Sequence, residues 1–593
     1  MATRLRPVDI VIVGMGWTGA ILAKELAETG LKIVALERGG PRQTDPDFQE
    51  PHKDDELRYA IRTELMQDVQ RETLTFRNGA GETALPMRRL GSFLPGEGVG
   101  GAGVHWNGVT WRWLPWDHQA RTRTVERYGR RIIPPEMNLQ DWPVSYAELE
   151  PYYDKFEYMC GVSGKAGNIA GHLQPGGNPF EGARRRDYPN PPLPQSHAGA
   201  LFDAASRALG YHPFPAPAAN ASRAYVNPDG VQLGACHLCG FCERFGCEAD
   251  AKASPHFLLL PLARRNRDFE LRTHARVLKV DLDAARRRAT GVTYLDVRGR
   301  AFEQPAELVI LAAYALNNVH LMLLSGIGRP YDPRTRTGVV GRNYAYQIGG
   351  GATVFFDENT WIHPYMGAGG LGVAIDDLSA DNFDHGRFGF IGGASVSCMS
   401  SSGRPIQARP VPNGTPSWGS AWKAAVKRHY NHTLGIGLQG SVNAYDRNYL
   451  DLDPTYRDAF GRPLLRMTFD FHDNEKRMAN HIADECVRIG EAMRGLGNVL
   501  QVQRGAPPAR YSIVPYQSTH NTGGAVMGTN PQTSAVNRYL QSWDVPNVFV
   551  TGACAFPQNA GRNPTGPVGA LAYWAAEAIK TRYLRRPGPL VRA

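Results

Sequence analysis

A six-residue apolar run of β-type chain, Val8 to Val13, leads directly into Gly14, Gly16 and Gly19, and no other feature restricts the fold as strongly. The spacing is G-x-G-x-x-G, and Ala20 to Glu28 follow with helical periodicity, so the segment reads as strand, phosphate turn and helix. The first glycine permits the tight turn and the second lets a pyrophosphate approach the backbone. The third lets helix pack on strand, with the helix N-terminus facing the anion. A second apolar run, Leu31 to Leu36, ends at Glu37, about 20 residues past the glycines, where a carboxylate can accept hydrogen bonds from an adenosine ribose. Glu37 alone also reads as a solvated strand-end charge. Strand, turn, helix and acid together point to a bound dinucleotide rather than a merely structural turn.

The chain has 593 residues, a length for about four domain-sized masses that discontinuous insertion can merge into two. With 42% hydrophobic and 21% charged residues it is an ordinary globular composition, which excludes disorder, collagen and coiled coil. The net charge of +10 is a modest excess, compatible with an acidic substrate, and no basic run resembles a nucleic-acid arm. No nucleic-acid partner is expected. No stretch approaches the ~18 apolar residues of a spanning helix, and MATRLRPVDIVIVG lacks the cleavage site of a secretory signal. Membrane contact is therefore expected only through a partner.

Four cysteines, Cys160, Cys398, Cys486 and Cys554, stand alone, while Cys236, Cys239, Cys242 and Cys247 crowd into CHLCGFCERFGC. That distribution is unlike a disulfide framework. Soft thiolates so spaced suit iron-sulfur chemistry. A zinc knuckle and a set of unligated thiols are the alternatives. No C-x-x-C-H motif occurs, so any haem lies on another chain.

GEGVGGAGVHWNGVTWRW (Gly96 to Trp113), AELVILAAYALNNVHLMLLSGIG (Ala306 to Gly328), VGRN (Val340 to Asn343), STHNTGGAVMGTNP and VPNVFVTGACAFPQNAGRNPTGPVGALAYWAAEAI resemble segments of the glucose-methanol-choline (GMC) oxidoreductases, spread over nearly the whole chain. The resemblance implies an α/β fold with a Rossmann-like FAD-binding domain assembled from residues 1–120, 225–345 and 505–593, the thiol loop 236–247 included. A sheet-and-helix (α+β) substrate-binding domain would occupy 346–504, with 121–224 an irregular excursion rich in Gly, Pro and Asn and carrying the charge cluster Arg184 to Arg186. Within 346–504, Gly349 to Phe356, Arg387 to Phe390 and His432 to Val442 are strand-like. Asn474 to Leu496 reads as a helix with Met478, Ile482, Cys486, Ile489 and Met493 on one face.

By the same resemblance Gly100, Gly101, His105 and Asn107 contact the flavin, His520 is the general base and Asn563 the second active-site residue, orienting the substrate hydroxyl. The family more often has Gly-Thr where this chain has Gly523 and Gly524. His105 either attaches FAD covalently or packs beside Trp106. Trp111, Trp113 and Trp116 are either core or substrate-stacking residues, and Arg562 either holds a substrate carboxylate or is a surface or cofactor-side charge.

The thiol loop resembles that of the membrane-associated sugar and sugar-acid dehydrogenases of the family. This implies a 3Fe-4S cluster on Cys236, Cys242 and Cys247 with Cys239 spare, or a 4Fe-4S cluster using all four. The expected reaction oxidises a secondary hydroxyl of a sugar acid, D-gluconate to 2-keto-D-gluconate. Electrons would pass from FAD through the cluster to a membrane-anchored multihaem cytochrome c subunit and quinone. Sorbitol, fructose, glucose and 2-ketogluconate are the alternative substrates, and a non-catalytic electron-transfer flavoprotein is the alternative of another class. A small companion subunit with an export signal would carry the folded chain to the periplasmic face of the inner membrane.

Overall fold

The computed structural model describes residues 2–48, 65–89, 91–401 and 410–592. Val8–Val13 lies in a sheet between Ile33–Leu36 and the second half of Ala301–Leu311, parallel to both. Phe269–Arg272 extends it beyond Ile33–Leu36, and Val548–Val550 pairs with the far side of Ala301–Leu311, again in parallel. Parallel strands are covered on both faces and so read as continuous apolar runs. Accordingly every residue of Ile33–Leu36 and Val548–Val550 is buried. Helix Trp17–Ala27 makes the crossover and is itself buried almost all round, because helix Thr565–Ala578 packs against it. The first half of Ala301–Leu311 turns into an antiparallel extension with Ala289–Leu295 and then Arg276–Leu282. The strands thus come from three separated parts of the chain, which converge where the glycine turn ends the central strand. A Cβ on Gly19 would stand 1.9 Å from the carbonyl oxygen of Gly14, and Gly14 itself has φ +94°. The turn closes only without side chains there.

A second, antiparallel sheet runs in the order Val499–Gly505, Ile348–Phe356, Thr433–Gly440, Ala394–Met399, Gly372–Ile375, Phe214–Pro215. Helix Asp473–Ala492 lies across it and buries Met478, Ile482, Cys486 and Ile489, the face its spacing announces. The mixed α/β class is as expected.

Two local expectations are corrected. Arg387 to Phe390 is not a strand: Gly386–Phe388 forms a single 3₁₀ turn closed by Gly389 at φ +73°, while Phe388 and Phe390 pack against His481. The stretch 121–224 is not irregular throughout, since it contains helices Tyr146–Cys160 and His197–Ala208. The first has a capping box, Ser145 with Glu148, and stops at a left-handed Gly161. The cluster Arg184 to Arg186 is what the composition hid: Arg184 pairs with Glu157, Arg185 with Glu150 and Arg186 with Asp154, all on that helix.

Candidate active site

Between the two sheets lies a cavity of about 440 Å³ that reaches from the glycine turn to His520 and Asn563. Gly14, Gly16, Glu37, Gly101, His105 and Asn107 also line it. Gly19 and Gly100 support that wall, Gly100 at φ +92° donating its N–H to the Met15 carbonyl at 2.8 Å. Glu37 is buried and accepts from the Met15 and Gly39 amides at 3.0 and 2.9 Å, so the acid braces the turn that it follows. Burial pushes its pKa up.

His520 sits in chain with little regular structure and is held by neighbours remote in sequence. Thr522 and Ala345 exchange backbone hydrogen bonds, and the Tyr346 hydroxyl accepts from the Ser518 amide at 2.9 Å. Tyr344 donates to the Asn521 side chain, whose Nδ2 donates to the Tyr314 hydroxyl at 2.7 Å. Asn559 Nδ2 donates to the His520 carbonyl at 2.6 Å. The imidazole is 8% exposed and no charged group perturbs it; burial alone lowers its pKa to about 3, so the ring is neutral.

Both ring nitrogens are engaged. Nε2 meets Asn563 Nδ2 at 3.0 Å, and Nδ1 meets Gln347 Oε1 at 2.5 Å. The indole N–H of Trp111 donates to Asn563 Oδ1 at 3.0 Å. Of the three tryptophans, Trp111 therefore belongs to the site through its N–H. Trp113 packs edge-on to Trp142 and Phe556, and Trp116 is buried beside His385. Gln347 carried no motif that would single it out, and Trp111 and Asn559, although inside family-like segments, carried no sign of these hydrogen bonds. Arg562 is neither at the surface nor on the cavity wall: 1% exposed, it pairs with the equally buried Asp376 at 2.6 Å.

A second cavity, about 460 Å³, shares Gln439, Gln517 and Ser518 with the first and is also lined by Gln347, Ser512 and Arg510. Arg510 pairs with Glu82 at 2.5 Å and lies 3.6 Å from Asp470.

His105 lies in a short helical turn, Ala102–His105, and is as buried as His520. Burial first, then the charges of Lys252 and Arg244, lower its pKa to about 3. Its Nε2 has no hydrogen-bond partner among the described residues. A cavity that opens on a glycine turn and has a buried imidazole in its wall fits a flavin dinucleotide.

The thiol loop adjoins this segment. Lys252 is 1% exposed and donates all three ammonium protons, at 2.7 Å each, to the carbonyls of Trp106, Cys242 and Phe245, tying the loop to the His105 turn. Cys242 is buried, Cys236 and Cys247 partly so, and Cys239 exposed. Burial, followed by the charges of the other three thiols, pushes Cys236 up to about 12, so the four are close enough to oppose each other's ionisation. Among the described residues no three His, Cys, Asp or Glu side chains are gathered as a single-ion site. The donor set itself, four thiols in one loop, is of a chemistry that suits iron and sulfide. No helix among the described residues is long and apolar enough to cross a membrane.

The GMC oxidoreductase family models match residues 218–348 with the N-terminal part and 444–572 with the C-terminal part. The chain is 51% identical over 598 aligned positions to the gluconate 2-dehydrogenase flavoprotein of Pantoea cypripedii, covering 100% of this chain and 97% of that one. It is 25% identical to the fructose dehydrogenase large subunit of Gluconobacter japonicus, covering 98% and 99%. Among solved structures, pyridoxine 4-oxidase from Mesorbium loti superposes with a TM-score of 0.57 at 18% identity, covering 97% and 99%, and shows the same fold.

Proposed function

The chain belongs to the GMC oxidoreductase family, and from that premise we propose that it is the flavoprotein subunit of a dehydrogenase that converts D-gluconate to 2-keto-D-gluconate. The observation that carries the chemistry is the meeting of His520 Nε2 and Asn563 Nδ2 on the wall of the dinucleotide cavity. The substrate class is taken from the relative at 51% identity.

Oxidising an alcohol requires the hydroxyl proton to leave as hydride departs from the same carbon. The C2 hydroxyl of gluconate donates to His520 Nε2 and accepts from Asn563 Nδ2, exchanging the bond between those two side chains for two bonds to substrate. His520 then takes the proton, and Asn563 stabilises the developing alkoxide. FAD, held by Gly14, Gly16, Glu37, Gly101, His105 and Asn107, supplies the two-electron acceptor. Arg562 is committed to Asp376 and is not free to hold the substrate carboxylate.

We assign residues 1–120, 225–345 and 505–593 to the FAD-binding part and 346–504 to the substrate-binding part. His105 offers its unpartnered Nε2 as a covalent anchor for the flavin. Cys236, Cys242 and Cys247 are the proposed 3Fe-4S ligands, with the exposed Cys239 spare, and the buried Lys252 ammonium supports an anionic centre beside them. Such a cluster supplies a one-electron relay to a haem partner. The companion subunit with an export signal, the cytochrome c subunit and the periplasmic location complete the reading. Coexpression with the companion followed by fractionation tests the last.

Anaerobic visible spectra before and after D-gluconate, with sorbitol, fructose, glucose and 2-ketogluconate in parallel, test the whole. Bleaching of the flavin by gluconate alone is expected. Bleaching by another of these would replace the substrate, and an unresponsive flavin would favour an electron-transfer flavoprotein, against which the joint presence of His520 and Asn563 now stands.

A further inference from the structure

We propose that Gln347 is the positioning residue that fixes the tautomer of His520, holding the proton on Nδ1 and leaving the lone pair on Nε2, the nitrogen that meets Asn563. The inference rests on the reading of His520 as the base.

The polarity of the chain of hydrogen bonds is settled from both ends. At one end is an indole N–H, which only donates, so Asn563 turns its carbonyl oxygen to Trp111 and its NH₂ to His520. An amide nitrogen has no lone pair to offer, so Nε2 must accept. At the other end are two backbone carbonyls, which only accept. Gln347 Nε2 lies 3.2 Å from the oxygen of Ala560 and 3.1 Å from that of Arg562, so the NH₂ faces them and Oε1 faces the ring. An amide oxygen carries no proton, so Nδ1 must donate. The opposite tautomer would break both bonds to the ring, and flipping Gln347 to rescue it would set its oxygen against two carbonyls. Gln347 is 3% exposed and both ends of its amide are engaged, the oxygen by the ring and the NH₂ by the two carbonyls.

The choice of an amide has a second consequence. A carboxylate in this place would accept the same Nδ1–H but would also stabilise the imidazolium, raising the pH below which the base is protonated before substrate arrives. Gln347 orients the ring without charging it. No other group supplies that charge. Tyr344 and Tyr346 from the segment leading into Ile348–Phe356 and Tyr314 through Asn521 are neutral phenols whose pKa values burial raises. The Arg562 guanidinium is spent on Asp376, and Glu243 and Tyr516 line the cavity without perturbing the histidine.

Histidine-¹⁵N-labelled protein tests the tautomer directly. The resonance pair missing from a His520→Ala spectrum is expected to show a protonated Nδ1 and a bare Nε2; a protonated Nε2 overturns the proposal. In the flavin-loaded enzyme, Gln347→Glu should move the acidic limb of the kcat/KM profile upward by about one to three pH units. The isosteric, uncharged Gln347→Met should slow flavin reduction about 100-fold with KM within about twofold. A Gln347→Glu profile that coincides with the parent, or a Gln347→Met enzyme of full rate, overturns the proposal even if His520→Ala is inactive. Full-rate flavin reduction by His520→Ala would instead overturn the reading of the base. If Gln347→Glu fails to load flavin, Gln347→Met and the labelled spectra decide.

Discussion

Two histidines line one cavity, equally buried and each with a pKa lowered to about 3, yet their surroundings equip them for different work. His520 has a partner on each ring nitrogen and no charge nearby. His105 has an unpartnered Nε2 and sits under the ammonium of Lys252. Burial makes both rings neutral; the partners decide which nitrogen is available and for what. In the proposed reading, the His520 lone pair, which meets an amide proton, exchanges that proton for a substrate hydroxyl, and the unpartnered His105 nitrogen is the anchor for the cofactor.

The widest separation between them should come from truncating each in turn. His520→Ala is expected to slow gluconate-driven flavin reduction at least about 100-fold, measured by anaerobic stopped flow, because a general base contributes about 10²–10⁴-fold. His105→Ala is expected to stay within about tenfold in that step. It should, however, release its flavin into the supernatant on acid precipitation, while the parent retains the colour in the pellet. Equal loss of reduction in both variants would erase the distinction drawn here.

A smaller effect isolates the hydrogen-bond chain on the His520 side. Trp111→Phe keeps the ring but removes the donor that orients Asn563, leaving that amide free to flip. Flavin reduction is expected to fall about tenfold, the scale of one neutral hydrogen bond, with the absorbance of the bound flavin unchanged.

The smallest difference is one of pH, and here the two histidines should act alike. His105, His118, His256, His320, His385, His472 and His520 all have folded pKa values lowered by burial to about 3 or 4, against 6.5 when exposed. Below 6.5 the unfolded chain binds more protons than the folded one, so stability falls as pH falls from about 6.5 toward 4. Asp117 and Glu475, raised by burial to about 7, and Glu37, Glu181, Asp250 and Asp381, raised in the same direction, oppose this across the interval, but they are six groups against nine once His429 and His481, also lowered by burial, are counted. Melting temperatures at pH 8, 6.5 and 5 should be flat across the first interval and fall across the second. The His520→Ala and His105→Ala proteins should each show a slightly shallower fall.

Much of the cofactor side was legible in the chain because its signals are local. Gly14, Gly16 and Gly19 lie within one turn, and the four loop cysteines lie within twelve residues, so spacing alone states the geometry that they can adopt. The helix face of Met478, Ile482, Cys486 and Ile489 followed from periodicity in the same way. Helix Tyr146–Cys160 was hidden by the Pro- and Gly-rich chain downstream of it, although Ser145 and Glu148 spelled its start. The substrate side was legible only through the family pattern around His520 and Asn563. Nothing near Gln347 marks it as a member of the site, Trp111 stood undistinguished among three tryptophans, and Arg562, next in chain to Asn563, turned out to be committed elsewhere.

The division has a physical cause. Sequence by itself determined the strand, turn and helix that open the chain, and the crowding of thiols in one loop. Steric permission at a glycine and ligand spacing along a short segment are properties of neighbouring residues. Only the tertiary structure decided the tautomer of His520, because that rests on Trp111, Gln347 and Asn563. The Trp111 to Asn563 bond alone spans 452 positions of chain, and the His520 to Gln347 bond spans 173. A hydrogen bond is directional and reaches about 3 Å. Which of the many buried amides meets the ring, and with which end, is settled only when both sheets have closed on the cavity.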